Sequence, residues 1–127
     1  MATTLGLRHP LYIITNFDDL HSSPEIIIVA SPNLLRFLPD TKTLSAILRS
    51  SPKTSIEGRI EILPPNYYRQ FYHGSLKVAS NWFPLVLEVE LWSHSDHRED
   101  ILIGVEKETV YGKPGVSQDT SFGCNLT

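Results

Sequence analysis

Cysteine is almost missing from this sequence: Cys124 stands alone among 127 residues. No disulfide can close within the chain, and a reducing compartment such as the cytoplasm is expected. Long apolar runs are missing too. The longest clean aliphatic stretch, Ile26-Ile27-Ile28-Val29-Ala30, is far shorter than the ~20 residues of a membrane-spanning helix. The first ten residues have neither the basic segment nor the apolar core of a secretory signal, so Asn125-Leu126-Thr127 reads as a chance sequon. Basic excess is lacking as well, the net charge being −3. A strongly nucleic-acid-binding monomer normally carries the opposite sign.

Motifs of catalysis are equally scarce. There is no Gly-x-Ser-x-Gly elbow and no His-Glu-x-x-His. Gly112-Lys113-Pro114-Gly115 lacks the glycine spacing of a phosphate loop. Cys124 has no nearby base to activate it. Glu88 and Glu90 lie at i, i+2, a spacing that suits an exposed strand face better than an acid–base pair. The reading is non-enzymatic, with no cofactor and no small-molecule substrate.

What the chain does hold is proline, glycine and short β-rich segments. Nine prolines and seven glycines punctuate it into many brief elements. Strands are expected at 11–17, 25–30, 54–63, 74–79, 83–92, 101–105 and 109–111, from β-branched and aromatic content and from period-2 alternation. The segment 25–30 is apolar enough to be buried on both faces. Asp40 after Pro39 is a good N-cap, and Leu44, Ile47 and Leu48 at i, i+3, i+4 predict a helix ending at Ser50-Ser51-Pro52. Ser31-Pro32-Asn33 opens a further short helical turn. The fold class expected is α+β, an antiparallel sheet with one or two short helices packed on one face. Residues 1–112 are expected to form a single domain and 113–127 a flexible C-terminal tail.

Charge is unevenly spread. Basic residues number two against four acidic in 1–40, five against two in 41–75, and four against eight in 76–127. Within the basic middle lies Pro64-Pro65-Asn66-Tyr67, a PPxY element of the kind WW domains bind. The prolines preset φ near the polyproline II value and the ring suits an aromatic-lined groove. Pro64, Pro65 and Tyr67 are therefore the candidate partner-binding residues, and their use requires an exposed tyrosine on extended backbone. Further on, His94, Asp96, His97, Glu99 and Asp100 crowd one loop. They are a candidate divalent-metal cluster, set against a plain solvated hairpin tip. Metal-dependent catalysis by His94, Asp96 and His97 is the second alternative function.

Three features in order resemble the central region of matrix proteins of enveloped negative-strand RNA viruses, particularly rhabdoviruses. They are Thr43-Leu44-Ser45-Ala46-Ile47-Leu48-Arg49-Ser50-Ser51 as a short helix, then Ile56-Glu57-Gly58-Arg59 opening a strand, then Tyr68-Arg69-Gln70-Phe71 before Gly74-Ser75-Leu76-Lys77-Val78. A PPxY sequence also belongs to many of those proteins, as a recruiter of host factors. The resemblance covers under half of the chain. It implies a viral structural protein of virion assembly, located in the host cytoplasm or virion interior. Its core would self-associate and link the ribonucleoprotein to the anionic inner membrane surface. Arg59, Arg69 and Lys77 are the residues assigned to polyanion contact, and Trp82 and Phe83 to an exposed apolar loop, with burial in the core as their alternative. The first alternative function is a cytosolic adaptor module that uses PPxY docking or a sheet edge.

Overall fold

A computed structural model describes residues 3–16, 24–51, 57–78 and 83–111. The chain folds into two sheets, and the order of elements is β1 (Thr3–Thr4), β2 (Tyr12–Asn16), β3 (Glu25–Ala30), a 3₁₀ helix (Pro32–Phe37), β4 (Thr43–Ser51), β5 (Glu57–Ile62), β6 (Tyr72–Lys77), β7 (Leu85–His94) and β8 (Ile101–Val110). Five strands form one sheet in the order β1-β8-β7-β4-β5, and three form the other in the order β2-β3-β6. Every neighbouring pair is antiparallel except β1 with β8, which run parallel.

Mostly antiparallel β-structure therefore replaces the expected sheet with helices on one face. The main correction falls on residues 43–51, which form β4 and not a helix. Leu44, Ala46 and Leu48 belong to the core, whereas Ser45, buried beside His94, the half-buried Ile47 and the exposed Arg49 lie on the other face. That is a period of two. Over so short a window Leu44, Ile47 and Leu48 satisfy the helical period as well, and the sheet decides between them. β4 is hydrogen-bonded to β5 on one flank and β7 on the other, a central position that a helix could not fill. The sole helix among the described residues is the 3₁₀ turn. Ser31 caps it, its Oγ accepting from the Asn33 N–H at 3.1 Å.

One core joins the two sheets. Ile26, Ile28 and Ala30 of the small sheet meet Leu44, Ala46, Leu48, Leu85, Leu87, Val89 and Leu91 of the large one. β3 buries only this alternate set and leaves Ile27 and Val29 half-exposed, so it is not covered on both faces as its composition suggested. β7 behaves as its pattern requires, burying every second residue from Leu85 to Ser93. The two segments expected at 101–105 and 109–111 form one strand, β8. An isolated antiparallel bridge between Leu63 and His73 joins the end of β5 to β6. Phe83 lies in the core. This sets aside the exposed apolar loop that the resemblance implied and agrees with the burial weighed against it, since burial removes a large ring from water. Trp82, Cys124 and the tail 113–127 lie outside the described residues. No helix among the described residues is long and apolar enough to cross a membrane.

Candidate functional sites

Two outward-facing regions carry functional chemistry, one on each sheet. The first is the connection from β5 to β6. Asn66 closes a tight turn there. Its N–H donates to the Arg69 carbonyl at 2.8 Å, and its Oδ1 accepts from the N–H groups of Tyr68 at 2.8 Å and Arg69 at 2.9 Å. An asparagine amide oxygen that takes up backbone donors two and three residues on holds such a turn without core contacts. Tyr67 and Tyr68 are thrown outward, 92% and 87% exposed, with their rings edge to face at 5.0 Å. The exposed tyrosine required of the PPxY element is therefore present. The backbone just after Pro65 is turned, however, and not extended.

This loop runs on into the outer face of the small sheet. Tyr68, Arg69, Gln70 and Phe71 border an open groove of about 420 Å³ whose floor is Val29 and His73. Val29 is paired with Tyr12 on one side and His73 on the other. Tyr12 and, two residues on, Ile14 are exposed. An apolar surface thus extends from β2 across β3 to the aromatic turn. The Arg69 Nε sits buried with no hydrogen-bond partner among the described residues, a burial that costs free energy.

The second region is the outer face of the large sheet. The Ser45 Oγ lies 2.6 Å from the His94 Nε2, the His94 Nδ1 lies 2.9 Å from the Asp100 Oδ1, and the Arg59 Nη2 lies 3.0 Å from the same Nε2. Ser45 is paired with Trp92 in the β4–β7 ladder, and His94 is two residues further along β7, so their side chains meet diagonally on one face. A clamp holds the loop that carries Asp100. Arg98 donates from Nε to Asp40 at 3.0 Å and from Nη2 to the buried Ser93 hydroxyl at 2.8 Å. The Arg98 hydrogen bond holds the Asp40 carboxyl below its usual range.

The remaining sequence-derived sites are not brought together. His94, Asp96 and His97 diverge: His94 faces Ser45 and Asp100, Asp96 accepts from the Lys42 Nζ at 3.0 Å, and His97 is exposed. Among the described residues no group of three or more histidine, cysteine or carboxylate side chains is placed to hold a metal ion. Of the polyanion set, Arg59 stands on the outer face of the large sheet, Lys77 ends β6 of the small sheet, and Arg69 belongs to the turn. Sequence reasoning singled out His94 and Asp100 as loop residues and missed Ser45 altogether. Ser45 and His94 are 49 positions apart, and only the register of β4 on β7 joins them. No protein-family model, curated protein or solved structure matches this chain.

Proposed function

We propose that this is an assembly or adaptor protein that works through the outer face of its small sheet and the aromatic turn beside it. The observation that carries the reading is the run of exposed apolar groups from Tyr12 and Ile14 to Phe71 and Tyr68. A contiguous apolar surface of this kind on a small domain marks a place for a protein neighbour. The strand edges support a second copy as that neighbour. Beyond β1, the open edge of β8 carries Glu106, Lys107 and Glu108, charges that discourage edge-to-edge pairing. β2 has a neighbour on one side only among the described residues and carries no charge from Tyr12 to Asn16.

The matrix-like form of this reading adds a ribonucleoprotein and an anionic membrane as partners. Self-association draws support from the surface just described. The polyanion contacts rest on the resemblance alone, because Arg59 stands on the large sheet, apart from Arg69 and Lys77 beside the small one. Light scattering across protein concentration, with and without phosphatidylserine vesicles, separates the two. Oligomers that grow with concentration and are weakened by a Tyr12→Ser/Ile14→Ser double variant are expected. A strict monomer that ignores the vesicles would remove the reading.

A second reading is favoured by one observation, the near-complete exposure of Tyr67, the last residue of the Pro64-Pro65-Asn66-Tyr67 element. Docking of a WW domain fits it, and pull-down with an isolated WW domain against Tyr67→Ala tests it.

A further inference from the structure

We propose that Ser45 is an activated, acylatable hydroxyl: with His94 and Asp100 it forms a relay on the outer face of the large sheet that accepts small carboxylic esters and hydrolyses them slowly. This goes beyond assembly and is independent of it, since the relay and the aromatic surface lie on different sheets.

The hydrogen-bond partners fix the protonation pattern. An arginine side chain only donates, so the His94 Nε2 facing Arg59 carries the lone pair. A carboxylate only accepts, so the Nδ1 facing Asp100 carries the proton. That single lone pair serves one donor at a time, and with Arg59 turned away it accepts from the Ser45 O–H, whose Oγ lies 2.6 Å off. That arrangement is what a general base needs to take a serine proton, with the carboxylate orienting the ring from behind. Asp100 keeps the ring in this tautomer when Arg59 leaves Nε2.

Space for a substrate exists on both sides of the Arg59–His94 contact. One depression of about 310 Å³ runs along Thr43, Leu44 and Ile60, and another of about 220 Å³ is walled by Ile47 and Trp92. Ser45 lines both. Its own exposure is only 5%, whereas Arg59 is exposed. Swinging Arg59 aside uncovers the hydroxyl and frees the guanidinium for a carbonyl oxygen. The apolar walls at Ile47 and Trp92 suit a short acyl chain.

The chemistry closes without a further reagent than water. The Ser45 Oγ adds to the ester carbonyl carbon while its proton passes to the His94 Nε2, and the negative charge on the carbonyl oxygen faces Arg59. The carbon–oxygen bond to the leaving group then breaks, and the departing alkoxide takes the proton from Nε2. Water attacks the acyl-serine, gives a proton to Nε2, and the Ser45 Oγ leaves with that proton as the carboxylic acid is released. Rate is limited by the oxyanion site. β4 is paired on both flanks, so its backbone N–H groups are taken up in ladders, and Arg59 is the donor at hand among the described residues. The loss of a single such donor costs about 10²–10³ in rate elsewhere. Activated esters are therefore the substrates, and amides are not.

The test uses the full chain with a fluorophosphonate probe and with p-nitrophenyl butyrate. Peptide mapping should place one phosphonyl adduct on Ser45, and hydrolysis should exceed that of S45A by ~10²-fold or more, the lower end of general-base effects. Asp100→Asn should lower the rate and move the pH profile, with the melting temperature kept. Ser45→Cys serves as a second probe, and alkylation of the introduced thiol by iodoacetamide should slow when His94→Gln is added. A folded wild-type chain with no adduct at Ser45 overturns the proposal. So does a Ser45→Cys variant whose alkylation rate is indifferent to His94→Gln.

Discussion

Gly74 of β6 lies against Ile62 of β5: a β-carbon at position 74 would stand 2.6 Å from the Ile62 Cδ1 and 3.0 Å from the Glu61 carbonyl oxygen. The methyl group could rotate away, but the carbonyl belongs to a paired strand and cannot. This contact sets how closely the small sheet meets the large one at their shared corner. Gly74→Ala is expected to destabilise the fold by roughly 1–3 kcal/mol through overpacking. Urea unfolding of the variant and the wild type reads the difference directly.

The period of β4 can be tested at two adjacent residues. Leu48 is fully buried, whereas Ile47 faces outward and is half-buried. Thr keeps the β-branched shape of Ile47 and suits a strand, so the comparison turns on burial. Leu48→Thr should cost roughly 2–5 kcal/mol and Ile47→Thr under about 1.5 kcal/mol. Equal losses in denaturant titrations would restore the helical assignment for this segment.

That same segment shows what was legible in the sequence and what was not. Alternation along β7 and β5 was readable because charged residues interrupt it, Glu88 and Glu90 in β7 and Glu57, Arg59 and Glu61 in β5. In β4 the apolar residues fit both periods, and the choice was made by ladders to strands far away in sequence. β1 was invisible for a related reason: two residues, Thr3–Thr4, carry no pattern of their own and are strand only because β8 is there to pair with them. The PPxY turn was found because its signal is local. The Ser45–His94 contact was not, because its signal is a register and registers are set by the whole sheet.

Arg98 ties the 95–100 loop to the body of the fold. Its guanidinium reaches Asp40 and Ser93, with the Thr41 Oγ1 at 3.4 Å. Arg98→Ala should lower stability by roughly 1–3 kcal/mol, the usual range for hydrogen bonds to a charged group. Arg98→Lys should recover little of it, because an ammonium cannot span several acceptors as a planar fork does. Amide exchange across residues 95–100 should quicken in both variants, which checks that the loss lies in this loop.

Two carboxylates give stability opposite dependences on pH. The Arg98 hydrogen bond depresses the Asp40 pKa, so Asp40 favours the fold above its unfolded-state value and loses that effect as pH falls through the folded one. Partial loss of hydration, and then the neighbouring Glu106, raise the Glu108 pKa, so its contribution is full below the unfolded value and fades as pH rises through the folded one. Asp40→Asn should therefore lower the melting temperature at neutral pH and converge with wild type in acid. Glu108→Gln should raise it at neutral pH and converge in acid as well. Melting curves across this range check both signs.

The Asn66 turn and the PPxY element make opposing demands on the same backbone. WW-domain recognition uses extended polyproline II geometry up to the tyrosine. Asn66 instead draws the chain back, its side chain accepting from Tyr68 and Arg69 and its N–H donating to the Arg69 carbonyl. Asn66→Ala removes the two side-chain bonds at an exposed site, so global stability should change by only about 0.5–1 kcal/mol. The turn itself should open, with faster amide exchange at 67–69. If the extended form is the one recognised, calorimetric titration with an isolated WW domain should show tighter binding to Asn66→Ala and none to Tyr67→Ala. Weaker binding to Asn66→Ala would mean that the turned form, with Tyr67 and Tyr68 presented together, is itself the docking surface. In that case the partner is one that reads a pair of rings and not a polyproline ridge.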